Sequence, residues 1–333
     1  MRARAAGRGG IATAGVVLAI LAAGLPTIAH GAYPGANGRI AYAGHIGLGQ
    51  DDEIFTIRPD GSGVEQLTDN PSAEWSPSWS ASGRRLAFTR GRALYSRQGY
   101  TMGTHGQGEV RVTHDNGDDD SPSFSPNGRR IAYSKDNLSS VGPDNPRRVS
   151  IFTIRTDGTG KRLLVQGGSV ASPQYSPDGE RVVFQGRPKG HTKWGLWTVR
   201  SHGSHLRRLT DPGKTRDYDE TPDWSPDGRH IVFLRCDINT VHGCDGSVYR
   251  MRADGSYQRP VRLIAGEVAP AYAPSGGRLV LTTFKNDGDC SDLYKMTLAG
   301  VTQGYVTDNC DKPSEGRTAT QPSWQPVVGP QAP

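Results

Sequence analysis

Apolar residues along this chain fall in short compact runs, and one arrangement of them returns six times. The copy at Pro222-Asp223-Trp224-Ser225-Pro226-Asp227-Gly228-Arg229-His230-Ile231-Val232-Phe233 reads as strand, tight turn, strand. Related copies begin at Pro77, Pro122, Pro173, Pro270 and Pro322, in steps of 45, 51, 49, 48 and 52 residues. Each places an aromatic two positions after the proline: Trp79, Phe124, Tyr175, Trp224, Tyr272 and Trp324. The Ser-Pro-Asp-Gly chemistry explains the turn. Proline presets φ at the first corner, Asp or Asn bonds the backbone two residues on, and glycine takes the left-handed position.

A second apolar run follows each turn, such as Val182-Val183-Phe184 or Ile231-Val232-Phe233, then a polar insertion of variable length. A third run (Ile151 to Ile154, Leu196 to Val199, Val248 to Met251) leads through a second turn, for example Asp157-Gly158 or Asp254-Gly255, into a short fourth strand. Four strands per ~50 residues, repeated six times, predict an all-β fold: a six-bladed β-propeller of four-stranded antiparallel blades. The ends fit that ring. Pro34 to Tyr42 supplies a turn and second strand with no inner strand before it, whereas Pro322 to Pro326 is an inner strand with no turn after it. The C-terminal strand is therefore expected to complete the N-terminal blade, which removes the open edge.

The N-terminus changes the picture. Arg2, Arg4 and Arg8 precede an apolar run from Ile11 to Leu25, then Pro26 and small residues up to Ala32. This is the build of a secretory signal peptide, with cleavage expected between Ala29 and Ala32. The expected organisation is a signal peptide at 1–32, a propeller over 33–328 and a short tail at 329–333. The apolar run is shorter than the ~20 residues that span a bilayer, so no transmembrane segment is expected after cleavage. The formal charge of +6 also shrinks, because 36 basic residues then face 33 acidic ones. With no basic stripe, nucleic acid is not an expected partner. Four cysteines in an exported chain favour two disulfides, Cys236–Cys244 and Cys290–Cys310.

The repeated Pro-x-Trp-Ser-Pro-Asp-Gly-Arg-x-Ile-Ala-Phe pattern resembles the TolB-type propeller repeat (PD40, WD40-like), shared with the propellers of prolyl oligopeptidase relatives. The likeness runs from Tyr33 to about Val328. It implies the propeller, while the signal segment implies export, to a secreted or a periplasmic and cell-envelope location. The TolB protein itself carries an α/β domain ahead of its propeller. Here the repeat begins straight after the signal segment, so the expectation is the propeller without that domain.

Chemistry is harder to read. The six aromatics are expected to fill the space between blades, and the turn aspartates to form turns. Acidic residues just before the inner strands (Glu74, Asp118-Asp119-Asp120, Asp219-Glu220 and Glu267) are placed where each outer strand crosses to the next blade, at one end of the channel. Glu74, Asp119, Asp120, Asp219, Glu220 and Glu267 are therefore candidate ligand-binding residues, an electronegative mouth for a cation or a basic ligand. No cofactor is predicted and metal content stays open. Ca2+ in the channel is one idea, and Asn286 to Asp292 resembles a calcium-loop fragment without its closing Glu. His45, His191 and His242 stand in the variable loops of the same end, with no metal-ligand spacing.

No Gly-x-Ser-x-Gly elbow, His-Glu-x-x-His, phosphate loop or dinucleotide fingerprint occurs. No catalytic residue is assigned. The expected role is an exported, non-catalytic, monomeric propeller binding a protein or another extracellular or envelope ligand through its loop-rich channel face. The alternative is a hydrolase or lyase acting on a glycan or peptide at the acidic mouth.

Overall fold

The computed structural model describes residues 32–47, 51–92, 95–136, 148–212, 217–240, 243–263, 267–285, 290–311 and 317–328. Six four-stranded antiparallel sheets form a ring, as the repeat predicts. Blade one is closed as expected: Thr320–Val327 pairs antiparallel with Ala36–Gly44, followed by Glu53–Ile57 and Glu65–Gln66. The inner strands of blades two to six are Ala73–Trp79, Asp118–Phe124, Gly167–Tyr175, Asp217–Trp224 and Glu267–Tyr272. Their second strands are Arg85–Arg92, Arg130–Asp136, Arg181–Pro188, His230–Thr240 and Arg278–Lys285. The sole helical element among the described residues is a 3-10 turn at Asn309–Asp311.

The core lies between blades. Trp224, for example, packs with Ile231, Phe233 and Met251 of its own blade and with Val183 and Leu196 of the blade before. Each of the six motif aromatics is at most 3% exposed. The turns form as their chemistry requires. Ser225 Oγ accepts from the His230 amide at 2.9 Å, Asp227 Oδ1 accepts from the Arg229 amide at 3.0 Å, and Gly228 has φ +68°.

One backbone device goes beyond the pattern. The residue just before each motif proline, Ser76, Ser121, Ser172, Thr221, Ala269 or Gln321, has φ between 50° and 60°. Each coincides with a register shift, so every inner strand carries a bulge of one extra residue. Side chains of the neighbouring blade cap two of these bulges. The Ser76 amide donates to Gln321 Oε1 at 2.7 Å, and the Thr221 amide to Gln185 Oε1 at 2.6 Å. The bulge separates the motif aromatic, which fills the core, from the upstream residues of the same inner strand.

Candidate functional site

The predicted acidic residues divide into two registers. Three places before the motif proline stand Glu74, Asp119, Asp219 and Glu267. The first three are fully buried and ion-paired inside their own blade. Each partner lies directly across on the second strand: Arg90, Lys135 and Arg235. Arg235 grips Asp219 with Nε at 2.6 Å and Nη2 at 2.9 Å. Its guanidinium lies 5.5 Å from the Phe233 ring centre and 4.7 Å from that of Tyr249. Arg90, over Phe88 and Tyr100, gives Glu74 its Nε alone and turns Nη1 and Nη2 to Glu109. Lys135 Nζ sits 3.1 Å from Asp119 and also reaches Asp115.

The remaining blades treat this position differently. Val170 faces Gly186, and the Glu267 backbone faces Thr283. The Glu267 side chain lies outside the described residues. An acid therefore meets a base in three blades, and an apolar residue meets glycine in a fourth. Burial pushes the Asp119 carboxyl up to about 6 despite Lys135. Burial first, and the facing Glu53 carboxyl second, push Glu74 up to about 8. Oε2 of Glu53 and Oε2 of Glu74 are buried without a hydrogen-bond partner.

The second register, two places before the proline, holds Asp120 and Glu220, which sit differently. Asp120 ties blade three to blade two. Its carboxylate takes Arg97 Nη1 at 2.6 Å, Thr89 Oγ1 at 3.2 Å and Ser76 Oγ at 3.3 Å. Glu220 is partly buried, and burial alone pushes its carboxyl up to about 7, with no cation opposing the shift. Its Oε1 lies 3.5 Å from Cys236 Sγ. Burial, then the Glu220 charge, raise the neighbouring Tyr218 phenol to about 12. The Trp194 indole meets Tyr218 edge-on at 6.4 Å. Trp194, Tyr218 and Glu220 thus form a half-buried aromatic and carboxyl patch where blades four and five meet.

Neither aromatic of that patch is among the sequence-derived candidates. The available signal was Trp194 ending the polar stretch Arg187 to Lys193, an aromatic in a loop with no core to fill.

The other loop features are structural. His45 Nδ1 contacts Asp52 at 2.9 Å and Thr318 Oγ1 at 3.1 Å, and the His191 ring meets Trp197 edge-on with ring centres 4.4 Å apart. The Cys290–Cys310 disulfide forms as expected, and Cys236 is disulfide-bonded. The Cys244 side chain and His242 lie outside the described residues. In the calcium-like stretch, residues 286–289 also fall outside them. Asp292 spends its carboxylate on Thr307 Oγ1 at 2.9 Å and the Asn309 amide at 2.7 Å. Among the described residues, no group of three or more His, Cys, Asp or Glu side chains could hold a metal ion.

The family model for the TolB beta propeller domain matches residues 121–267. Dipeptidyl-peptidase 5 of Porphyromonas gingivalis is 27% identical over 263 residues, covering 77% of this chain and 36% of that protein. The chain spans 36% of the length of that protein and 24% of the length of another relative, the uncharacterized peptidase YuxL of Bacillus subtilis. Among solved structures, TolB from Acinetobacter baumannii superposes with a TM-score of 0.68 at 16% identity, over 87% of this chain and 67% of that one. Oligogalacturonate lyase from Vibrio parahaemolyticus gives 0.56 at 13% identity, over 84% and 78%. At these identities the superpositions speak for the fold.

Proposed function

We propose that this chain, a TolB-like six-bladed β-propeller, is an exported binding module that holds a protein or another envelope or extracellular ligand on its loop face. One observation carries the reading: the two faces of the ring are built differently. On one face the blades turn through near-identical Gly-containing corners, at Gly83, Gly128, Gly179, Gly228 and Gly276. On the other, the second-to-third-strand connections range from the gap between Arg92 and Tyr95 to that between Asp136 and Val149. Variable loops on a rigid ring are a usual seat of recognition. The patch of Trp194, Tyr218 and Glu220 supplies aromatic area and a carboxyl that burial raises to about 7, whereas Asp120 is engaged with Arg97.

Burial of Glu74, Asp119 and Asp219 in ion pairs takes charge away from the mouth and favours binding over acid–base chemistry. The rival reading, hydrolysis or elimination on a glycan or peptide, has Glu220 in its favour, because a carboxyl near 7 suits a general acid. The mature chain used as bait on native envelope and medium, beside Tyr218→Ala and Glu220→Gln on the loop face and Arg229→Ala on the turn face, separates these readings. Capture lost only in the loop-face variants supports binding there. Turnover of glycan or peptide that vanishes in Glu220→Gln supports the enzyme instead.

A further inference from the structure

Ala32 and Tyr33 lie inside the ring, 2% and 4% exposed. The Tyr33 hydroxyl donates to the Phe124 carbonyl on the inner strand of blade three. The same phenol feels Tyr175 of blade four and Asp223 of blade five. Tyr33 bonded to blade three and Ala32 bonded to blade five carry this segment across the inside of the ring, at the ends of the inner strands nearest the Gly-containing corners. The Ala32 amide donates to the Asp223 carboxylate. These two residues therefore form a floor to the channel.

Asp223 is a fully buried acid, and burial raises its carboxyl well above the usual carboxylate range. It has no exposed surface, and Oδ2 accepts from the Tyr272 amide of blade six at 2.6 Å. Oδ1 has no hydrogen-bond partner. The donors that reach the carboxylate are backbone amides, those of Tyr272, Ala32 and Trp224. Amides solvate a carboxylate without neutralising it, and a buried carboxylate without a counter-ion is costly. The other blades hold Ser78, Ser123, Gln174, Ala271 and Ser323 at this position, so the acid is peculiar to blade five, the one Ala32 touches.

A free Ala32 would solve this with no added atom on the inside. An amide offers one donor and no charge, whereas an α-ammonium offers three donors and a positive charge. Upstream, Ala29-His30-Gly31 places small residues three and one positions before the Gly31–Ala32 bond, the pattern a signal peptidase cuts. We propose that export processing cleaves Gly31–Ala32 and that the α-ammonium so freed becomes the counter-ion of Asp223, completing the channel floor. Water adds across the amide. Gly31 leaves as a carboxylate on the released peptide, and the Ala32 amine takes up a proton. The inference rests on the export reading of the N-terminal segment and adds the cut site and the purpose of the new terminus. Processing then finishes the fold, because the unprocessed chain has an amide where the floor needs a cation.

The full chain, expressed in an exporting host, is tested by N-terminal sequencing and intact mass. The expected mature terminus is Ala32. Its amine should react slowly with a succinimidyl ester in the native protein, at the ordinary rate in urea, and faster in folded Asp223→Asn than in the folded parent. Free amine falls about tenfold for each unit by which the pKa exceeds its usual ~7.7–8.0. A chain that keeps Gly31 as its first residue should melt several degrees lower than the Ala32 form, and the gap should close when both carry Asp223→Asn. An exported chain cut at another bond overturns the pairing alone, as does an Ala32 amine that labels equally fast with and without Asp223. A chain that stays uncut overturns the export reading and the pairing with it.

Discussion

The in-blade ion pairs make a claim about energy that Arg235 can test. Arg235→Met keeps most of the side-chain volume between Phe233 and Tyr249 but strands Asp219, which has no exposed surface, without its two charged donors. Removing one partner of a buried pair costs about 3–5 kcal/mol, and losing the cation from two ring faces adds roughly 1 kcal/mol. The double variant Asp219→Val with Arg235→Met imitates the apolar solution blade four already uses, where Val170 faces Gly186. Exchanging a buried pair for apolar groups of similar volume is often neutral or stabilising, so the double variant should unfold within about 1–2 kcal/mol of the parent, the allowance covering the lost ring contacts. Urea unfolding at pH 7 of the parent, both single variants and the double variant gives the coupling energy. If Arg235→Met unfolded within about 1 kcal/mol of the parent, or the double variant were weaker than the single, the pair would not be the reason Asp219 stands there. Asp219 would then return to the list of free mouth carboxylates.

Two further expectations follow from the loop face. Glu220 holds its proton more tightly folded, at about 7, than at its ordinary 4.5, so its protonated form favours the fold. That contribution is complete below about 4.5 and is lost as pH rises through 7, a change of roughly 3 kcal/mol. Melting temperatures of the parent between pH 4.5 and 8 should fall across that window, and Glu220→Gln should flatten the fall. Paired replacement of Cys290 and Cys310 by serine opens a loop with a sequence separation of 20. Chain entropy assigns such a loop about 3 kcal/mol, so calorimetry should show a lower melting temperature, and reductant should lower it by less than it lowers that of the parent, because the Cys236 disulfide remains.

The ring was legible because each blade repeats its own turn chemistry. Proline, Asp or Asn and glycine at fixed offsets name the corner, and the half-blades at Pro34 and Pro322 announce the closure. The bulges were not legible. Ser76, Thr221 or Gln321 before a proline is sterically biased toward extended backbone, so six left-handed residues there reflect ring geometry overriding a local rule. The acidic cluster was seen but placed at the mouth as a whole, because its counter-ions are far off in sequence. Yet the spacing is constant: Glu74 to Arg90, Asp119 to Lys135 and Asp219 to Arg235 are each 16 residues apart. That interval is the length of one inner-strand hairpin, and the same step from Val170 lands on Gly186. The Trp194 and Tyr218 patch comes from two different blades, a neighbourhood only the closed ring creates.

The central claim is that the loop face, and not the turn face, is the working surface. Hydrogen–deuterium exchange of the mature protein with and without its captured ligand tests this most directly. Slowed exchange confined to the amides around His191 to Trp194 and Tyr218 to Glu220, with the Gly228 and Gly276 corners unchanged, is the predicted result. Protection at those corners with the loop face unaffected would contradict it.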